Sequence, residues 1–238
     1  MFAYLRLEAR RTLRDPGFVI GGVAMPVVMY LLFTNLGEND GAWKTMAMVG
    51  MAAYGAVGSA LSTGGAVAED RGTGWLRQLA VTPMTPREVV LGRALTGSVT
   101  VLPAIAAVLA AGGLLNGVRL DAWQWAAIAV LLWLGSVPFT LLGLGNGYRL
   151  TPQTAGVANM VCNLGLSIVG GLWFPVDLFP AWLHSLSRWT PANRFAQLGT
   201  SVADGHAPAA GAVTVLTLWL LLFGAYAATS YRRAARTA

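Results

Sequence analysis

The sequence predicts an all-helical integral membrane protein with six transmembrane spans. Three observations predict it. Of its 238 residues, 55% are hydrophobic and only 11% charged, against about 25% charged in a soluble domain. The apolar residues gather into six uncharged runs, 16–37, 45–68, 94–118, 122–148, 150–176 and 207–231. Each run reaches the roughly 20 residues a helix needs to cross a hydrocarbon core about 30 Å thick. None alternates apolar with polar residues, as the strands of an outer-membrane barrel do.

Taken in order, residues 1–14 carry Arg6, Arg10 and Arg14 at helical spacing beside Phe2, Leu5, Ala9 and Leu13. The pattern suits an amphipathic helix on the membrane surface; a frayed basic tail is the other reading. The first apolar run is about as long as a span and lacks a small-residue cleavage site, so it reads as a retained anchor rather than a signal peptide. Helix starts are marked by caps: Asp15-Pro16, the capping box Thr85-Pro86-Arg87-Glu88, Asp121 with Gln124, Thr151-Pro152 and Thr190-Pro191. With these starts, a single transmembrane domain over residues 1–238 has approximate spans 16–37, 45–68, 88–115, 122–147, 152–174 and 208–230. Pro26, Pro103 and Pro138 fall inside spans and are expected to kink them. Between spans five and six, two apolar stripes, Trp182, Leu186, Trp189 and Phe195, Leu198, Val202, predict two short amphipathic helices at the outer interface.

Orientation follows from the basic residues. With both termini cytoplasmic, twelve of the sixteen lie on the inner side, and only Lys44, Arg119, Arg188 and Arg194 lie outside, as the positive-inside rule requires. The net charge of +6 thus belongs to topology and anionic lipid, not to nucleic-acid binding. The lone Cys162 lies within a span, so the chain has no disulfide framework.

Several chemistries are absent from the sequence. The only lysine, Lys44, has no phosphate-cradling glycine loop around it, and His184, His206 and Cys162 have no metal-ligand spacing. No Asp, Glu, His, Lys or Arg falls within the six uncharged runs, whereas proton relays and ion-coupled carriers place such groups inside spans. The energy source is therefore expected outside this chain, and no catalytic, cofactor-binding or metal-binding residue is assigned.

The loop after span two is the exception to this apolar design. Glu69, Asp70, Arg71, Arg77, Arg87, Glu88 and Arg93 crowd together; at about 2.5–3.5 kcal/mol each in a bilayer, seven charges would cost on the order of 20 kcal/mol. The loop stays in the cytoplasm. Thr73 can cap a short helix reaching about Ala80, with Trp75, Leu76 and Leu79 on one side and Arg77 on another, before Thr82-Pro83 halts it. A purely solvated loop has no use for a tryptophan and two leucines, so the helix reads as a docking knob for a cytoplasmic partner.

The stretch "EDRGTGWLRQLAVTPMTPREVVLGRAL" resembles the loop between spans two and three in membrane subunits of ABC type-2 exporters, with "GWLRQL" followed by "TP" particularly like a bacterial subgroup of drug- and antibiotic-export permeases. "GGLWFPVDLFPAWLHSLSRWTPANRF", residues 170–195, is similar to the family's G-x-x-x-P segment at the outer end of span five. The resemblance implies a half-transporter of a bacterial inner membrane. It would associate with a second permease, identical or paralogous, and two copies of a separate ABC ATPase that holds ATP and Mg. Glu69, Asp70, Arg71, Gly72, Thr73, Trp75, Leu76, Arg77, Leu79 and Pro83 would form the coupling helix seated in that ATPase. Basic residues that family loops often carry are replaced here by Ala80 and Val81.

The resemblance further implies that spans two and five face the dimer axis, on which the substrate (an amphipathic or hydrophobic drug, antibiotic, lipid or peptide) would pass. Asn159, Asn163, Ser167 and Gly171 form one stripe of span five, and Gly50, Tyr54 and Gly58 one of span two. Interhelical packing and substrate lining both account for these stripes. Trp173, Phe174 and Pro175 read either as an outer gate or as aromatic-belt residues. A non-transporting membrane assembly or scaffold protein is the alternative reading of the composition. An ion-coupled secondary transporter is another, and it lacks the intramembrane ionisable groups that it would need.

Overall fold

Prolines set the joints of the helices in the computed structural model, which describes residues 17, 19–36, 40–72 and 86–237. A π-helical turn at Val19–Ala24 gives way at Pro26 to α1 (Met25–Leu36). After α2 (Gly41–Gly72), α3 (Pro86–Val99) stops just short of Pro103, and α4 (Leu102–Leu114) starts beside it. In the same way α5 (Ala122–Gly135) is interrupted before Pro138, in the first turn of α6 (Val137–Arg149). Proline lacks the N–H that continues the ladder, and its ring clashes with the carbonyl four residues back. Pro103 and Pro138 thus coincide with breaks between helical segments, and Pro26 with the change from π- to α-helix.

The chain continues through α7 (Pro152–Gly170), a 3-10 turn at Val176–Leu178, α8 (Ala181–Ser187), α9 (Pro191–Ala203) and α10 (Ala210–Thr237). Among the described residues every regular element is helical. Four helical stretches among the described residues are long and apolar enough to cross a membrane: Gly41–Gly72, Val90–Leu114, Ala122–Arg149 and Ala210–Ala235. The first run forms a shorter apolar helix, Val19–Asn35, and the fifth forms α7, 19 residues long.

Boundaries differ from the sequence reading where charge or glycine intervenes. α2 extends beyond 45–68 at both ends, taking in Lys44 and Glu69 to Gly72. α7 ends before residue 174 because Gly171 adopts a left-handed conformation (φ 70°) and Leu172 N–H closes back on Ser167 O at 3.0 Å, a glycine C-cap. The expected caps at Thr151 and Thr190 each accept from the backbone N–H three residues on, and Gln124 Oε1 accepts from Asp121 N–H at 2.8 Å. The amphipathic helix expected at residues 1–14 and the helix expected at 73–80 lie outside the described residues.

α2 is the central helix. Met48, Val49, Met51, Ala52, Ala53, Ala56, Val57 and Ala60 are all fully buried, with α1, α4, α6, α7 and α9 packed around them. α10 is peripheral, and its Leu218, Leu221 and Leu222 stay more than half exposed, as on a lipid-facing helix. The two short helices between α7 and α10 divide their tasks. α8 presents Trp182 and Leu186 outward, with Trp189 just beyond it. α9 instead buries Phe195, Leu198 and Val202 against the bundle, with the Phe195 ring 5.3 Å from that of Phe139. The second stripe therefore docks into protein: α9 packs along α5, from Gln124 to Gly135, and also touches α2, α7 and α10.

Candidate transport pathway

Two kinds of packing meet at α2. Along one flank it is in backbone contact with α6: a Cβ on Gly64 would overlap Gly143 O, one on Gly147 would overlap Gly64 O, and one on Gly143 would sit 2.6 Å from Leu61 O. Glycine on both helices lets the two backbones touch, as small residues do in membrane helix pairs. A polar node closes this seam. Asn159 of α7 donates through Nδ2 to Leu61 O (2.9 Å) and accepts from Asn146 Nδ2 (2.8 Å), while Tyr226 Oη of α10 donates to Asn146 Oδ1 (2.9 Å). Arg149 stacks over the Tyr226 ring at 4.9 Å. One buried chain of amides and a phenol so binds α2, α6, α7 and α10 together, each amide oxygen and nitrogen in it engaged.

On the other flank lies a cavity of about 630 Å3, bounded by α2, α3, α7 and the π-helical turn. It follows α2 from Tyr54 to Asp70, a rise of about 24 Å at 1.5 Å per residue. Its walls carry glycine, hydroxyl and amide groups, including Gly22, Gly58, Ser59, Thr63, Gly97 and Asn163. Ser59 is 1% exposed; its Oγ and the Asn163 Oδ1 are buried with no hydrogen-bond partner among the described residues. Unsatisfied buried acceptors of this kind cost about 1–3 kcal/mol each. The cavity volume lies within the roughly 300–1,000 Å3 range of small-molecule sites.

The two ends of the cavity differ. At one, the Tyr54 ring meets Trp173 edge-on at 5.4 Å, and Phe174 lies 5.5 Å from Phe33. The turn that carries these aromatics is seated directly on α2, because a Cβ on Gly50 would overlap Leu172 O. At the other, exposed Glu69 stands beside Asp70, which pairs with Arg93 of α3 at 2.7 Å. Arg71 turns away from the cavity and donates to the carbonyls of Tyr148 and Leu150, the second at 2.9 Å.

Residues 1–202 match the family described as ABC-2 type transporter. The chain belongs to the ABC-2 type transporter family. Over 223 residues it is also 27% identical to a Bacillus subtilis (strain 168) protein named "Putative transport permease YvfS", with 91% of this chain and 90% of that one covered. The protein is thus a multi-pass membrane transport permease of this family, a role that involves no catalysis of its own.

For an ABC-2 permease the expected pathway residues are distributed unevenly. Tyr54, Asn159 and Asn163 line the cavity and Ser167 does not; Ser167 is fully buried elsewhere, its Oγ also without a partner among the described residues. Asn159 serves packing first, since both ends of its amide are engaged. Trp173 and Phe174 come together with Tyr54 and Phe33 at one end, and Pro175 precedes the 3-10 turn. Of the coupling residues, Glu69 to Gly72 form the last turn of α2, and Thr73, Trp75, Leu76, Arg77, Leu79 and Pro83 lie outside the described residues. Asn146 and Tyr226 escaped the sequence reading. The signal for the first was present in "GLGNGY", residues 143–148, where three glycines on alternate positions flank a single amide.

Proposed function

We propose that this chain is the membrane-spanning permease subunit of an ATP-driven exporter in a bacterial inner membrane. The observation that carries the reading is the 630 Å3 cavity along α2, which runs from the aromatic cluster at Tyr54 and Trp173 to the charged end at Glu69, Asp70 and Arg93. That charged end adjoins the segment 73–85, the stretch that resembles a coupling loop. Twelve of sixteen basic residues belong to the same side in a six-span arrangement, so this side is cytoplasmic and both termini lie there. α1 and α7 complete the six spans. α7 carries no charged residue, and 19 residues of helix rise about 28 Å, close to the thickness of the hydrocarbon core.

Two permeases, identical or paralogous, stand together with two ABC ATPase subunits that hold ATP and Mg. The substrate is an amphipathic or hydrophobic molecule (a drug, antibiotic, lipid or peptide) that enters the cavity from the charged end. Nucleotide-driven closure of the ATPases displaces the 73–85 segment, and the cavity opens past Trp173, Phe174 and Pro175 to the outside. Trp75, Leu76 and Leu79 dock into the ATPase, with Thr73, Arg77 and Pro83 in the same coupling segment.

The test is purification of the tagged chain from its native membrane in mild detergent, with each co-purifying protein quantified. An ABC ATPase at about one copy per permease supports the reading, and its loss in the triple variant W75A/L76A/L79A, with membrane insertion intact, supports the docking role. Reproducible absence of an ATPase from the folded wild type would sink the proposal.

A further inference from the structure

The last turn of α2 sends its neighbouring charges in different directions. Asp70 reaches Arg93 of α3 at 2.7 Å, which joins the two helices that flank the 73–85 segment. Arg71, one residue on, reaches across to the end of α6, where Nη1 donates to Tyr148 O and Nη2 to Leu150 O. These carbonyls belong to the end of a helix, where the last four C=O groups have no intrahelical partner. A cation there also complements the negative end of the helix dipole.

The place of this contact matters more than its stability. Leu150 is followed by the cap Thr151, and α7 begins at Pro152. α7 supplies Gly156, Asn159, Met160 and Asn163 to the cavity. The guanidinium that holds Leu150 is therefore two residues from the helix that forms one cavity wall, while its own backbone stands two residues from the 73–85 segment. Arginine suits the task because its planar fork meets two carbonyls at once, whereas a lysine ammonium acts as a point charge on a flexible stem.

We infer that Arg71 is a positioning residue for transport, a strut that carries displacement of the 73–85 segment to the α6–α7 turn and so to the α7 wall, and that it makes no contact with a partner protein. The inference rests on the ATP-driven permease reading. It moves Arg71 from the coupling contact implied by the family resemblance to a role inside the chain.

The experiment uses the complete complex of permease and co-purified ATPase in lipid nanodiscs. On a Cys162→Ser background, spin labels at Val157→Cys of α7 and Leu221→Cys of α10, both about two-thirds exposed, report the α7–α10 distances by double electron–electron resonance. Spectra are taken without nucleotide and with Mg-ATP trapped by vanadate. In the Arg71-containing protein, trapping shifts the distance distribution. R71A is expected to keep its ATPase at unchanged stoichiometry and to lose the shift, and R71K to recover only part of it. An unchanged shift in R71A or full recovery in R71K would overturn the strut. Loss of the ATPase from R71A would make Arg71 a partner contact instead. Should R71A fail to fold, R71Q, which keeps a single amide NH2 in place of the two-armed guanidinium, is read in the same way, and misfolding of both leaves Arg71 a structural role only and overturns the inference. If the Arg71-containing complex lacks either an ATPase or a nucleotide-dependent shift, the permease reading itself fails, whatever the variants do.

Discussion

Asn159 and Asn163 stand one helical turn apart on α7 and both line the cavity, but their amides are engaged differently. Asn159 is clamped between Leu61 O and Asn146, part of a seam where glycines let α2 and α6 touch. The Asn163 amide lies against Gly58 of α2, with its Oδ1 buried and unpartnered among the described residues. The same side chain thus ties helices together at one turn and makes no such tie at the next. What decides between them is how closely the neighbouring backbone approaches, which the amide itself does not control. A buried amide in apolar surroundings must find a partner or remain costly, and of these two amide oxygens only that of Asn159 has one among the described residues.

The strongest way to break the contrast is to force the seam apart. Gly64→Val places two methyl groups where Gly143 O already lies, and a backbone carbonyl cannot step aside as a flexible side chain can. The cost is expected at about 3 kcal/mol or more, at the upper end for overpacked cores. Thermal unfolding in detergent should show little or no folded protein; a melting curve like that of the wild type would mean that the two helices do not touch.

Exchanging the two amides for leucine sharpens the contrast directly. Asn159→Leu strands the Asn146 Nδ2 and removes the second donor to Leu61 O, and is expected to cost about 1–3 kcal/mol of stability. Asn163→Leu removes an unsatisfied carbonyl and fills cavity space, so stability should hold to within about 0.5 kcal/mol, as for positions free of structural partners, while transport falls. Paired melting curves and uptake into inverted vesicles check both halves. Equal destabilisation by the two variants would erase the distinction.

The smallest effect is expected at the aromatic end. The Trp173 indole N–H is buried with no partner among the described residues, and its ring rests against Tyr54. Trp173→Phe keeps an aromatic contact and removes the stranded donor, so stability should be unchanged or raised by a few tenths of a kcal/mol up to about 1 kcal/mol. A clear loss of stability would reveal a hydrogen bond to that nitrogen.

The sequence by itself determined the broad plan, because membrane insertion is governed by quantities that add along the chain. Length and apolarity marked out the helices, the caps at Thr151 and Thr190 located two of their starts, and Pro26, Pro103 and Pro138 located their joints, since each acts through its own backbone or its near neighbours. Only the tertiary structure decided the rest. It chose which of two equivalent amides is buried in a seam and drew Asn146 and Tyr226 into one node from positions 80 residues apart. It seated Phe195 on the bundle and left Trp182 outside, and it turned Arg71 onto the α6 carbonyls and left Asp70 to Arg93. These are pairings across sequence distance. They depend on which backbone faces which, and no local pattern of residues encodes that choice.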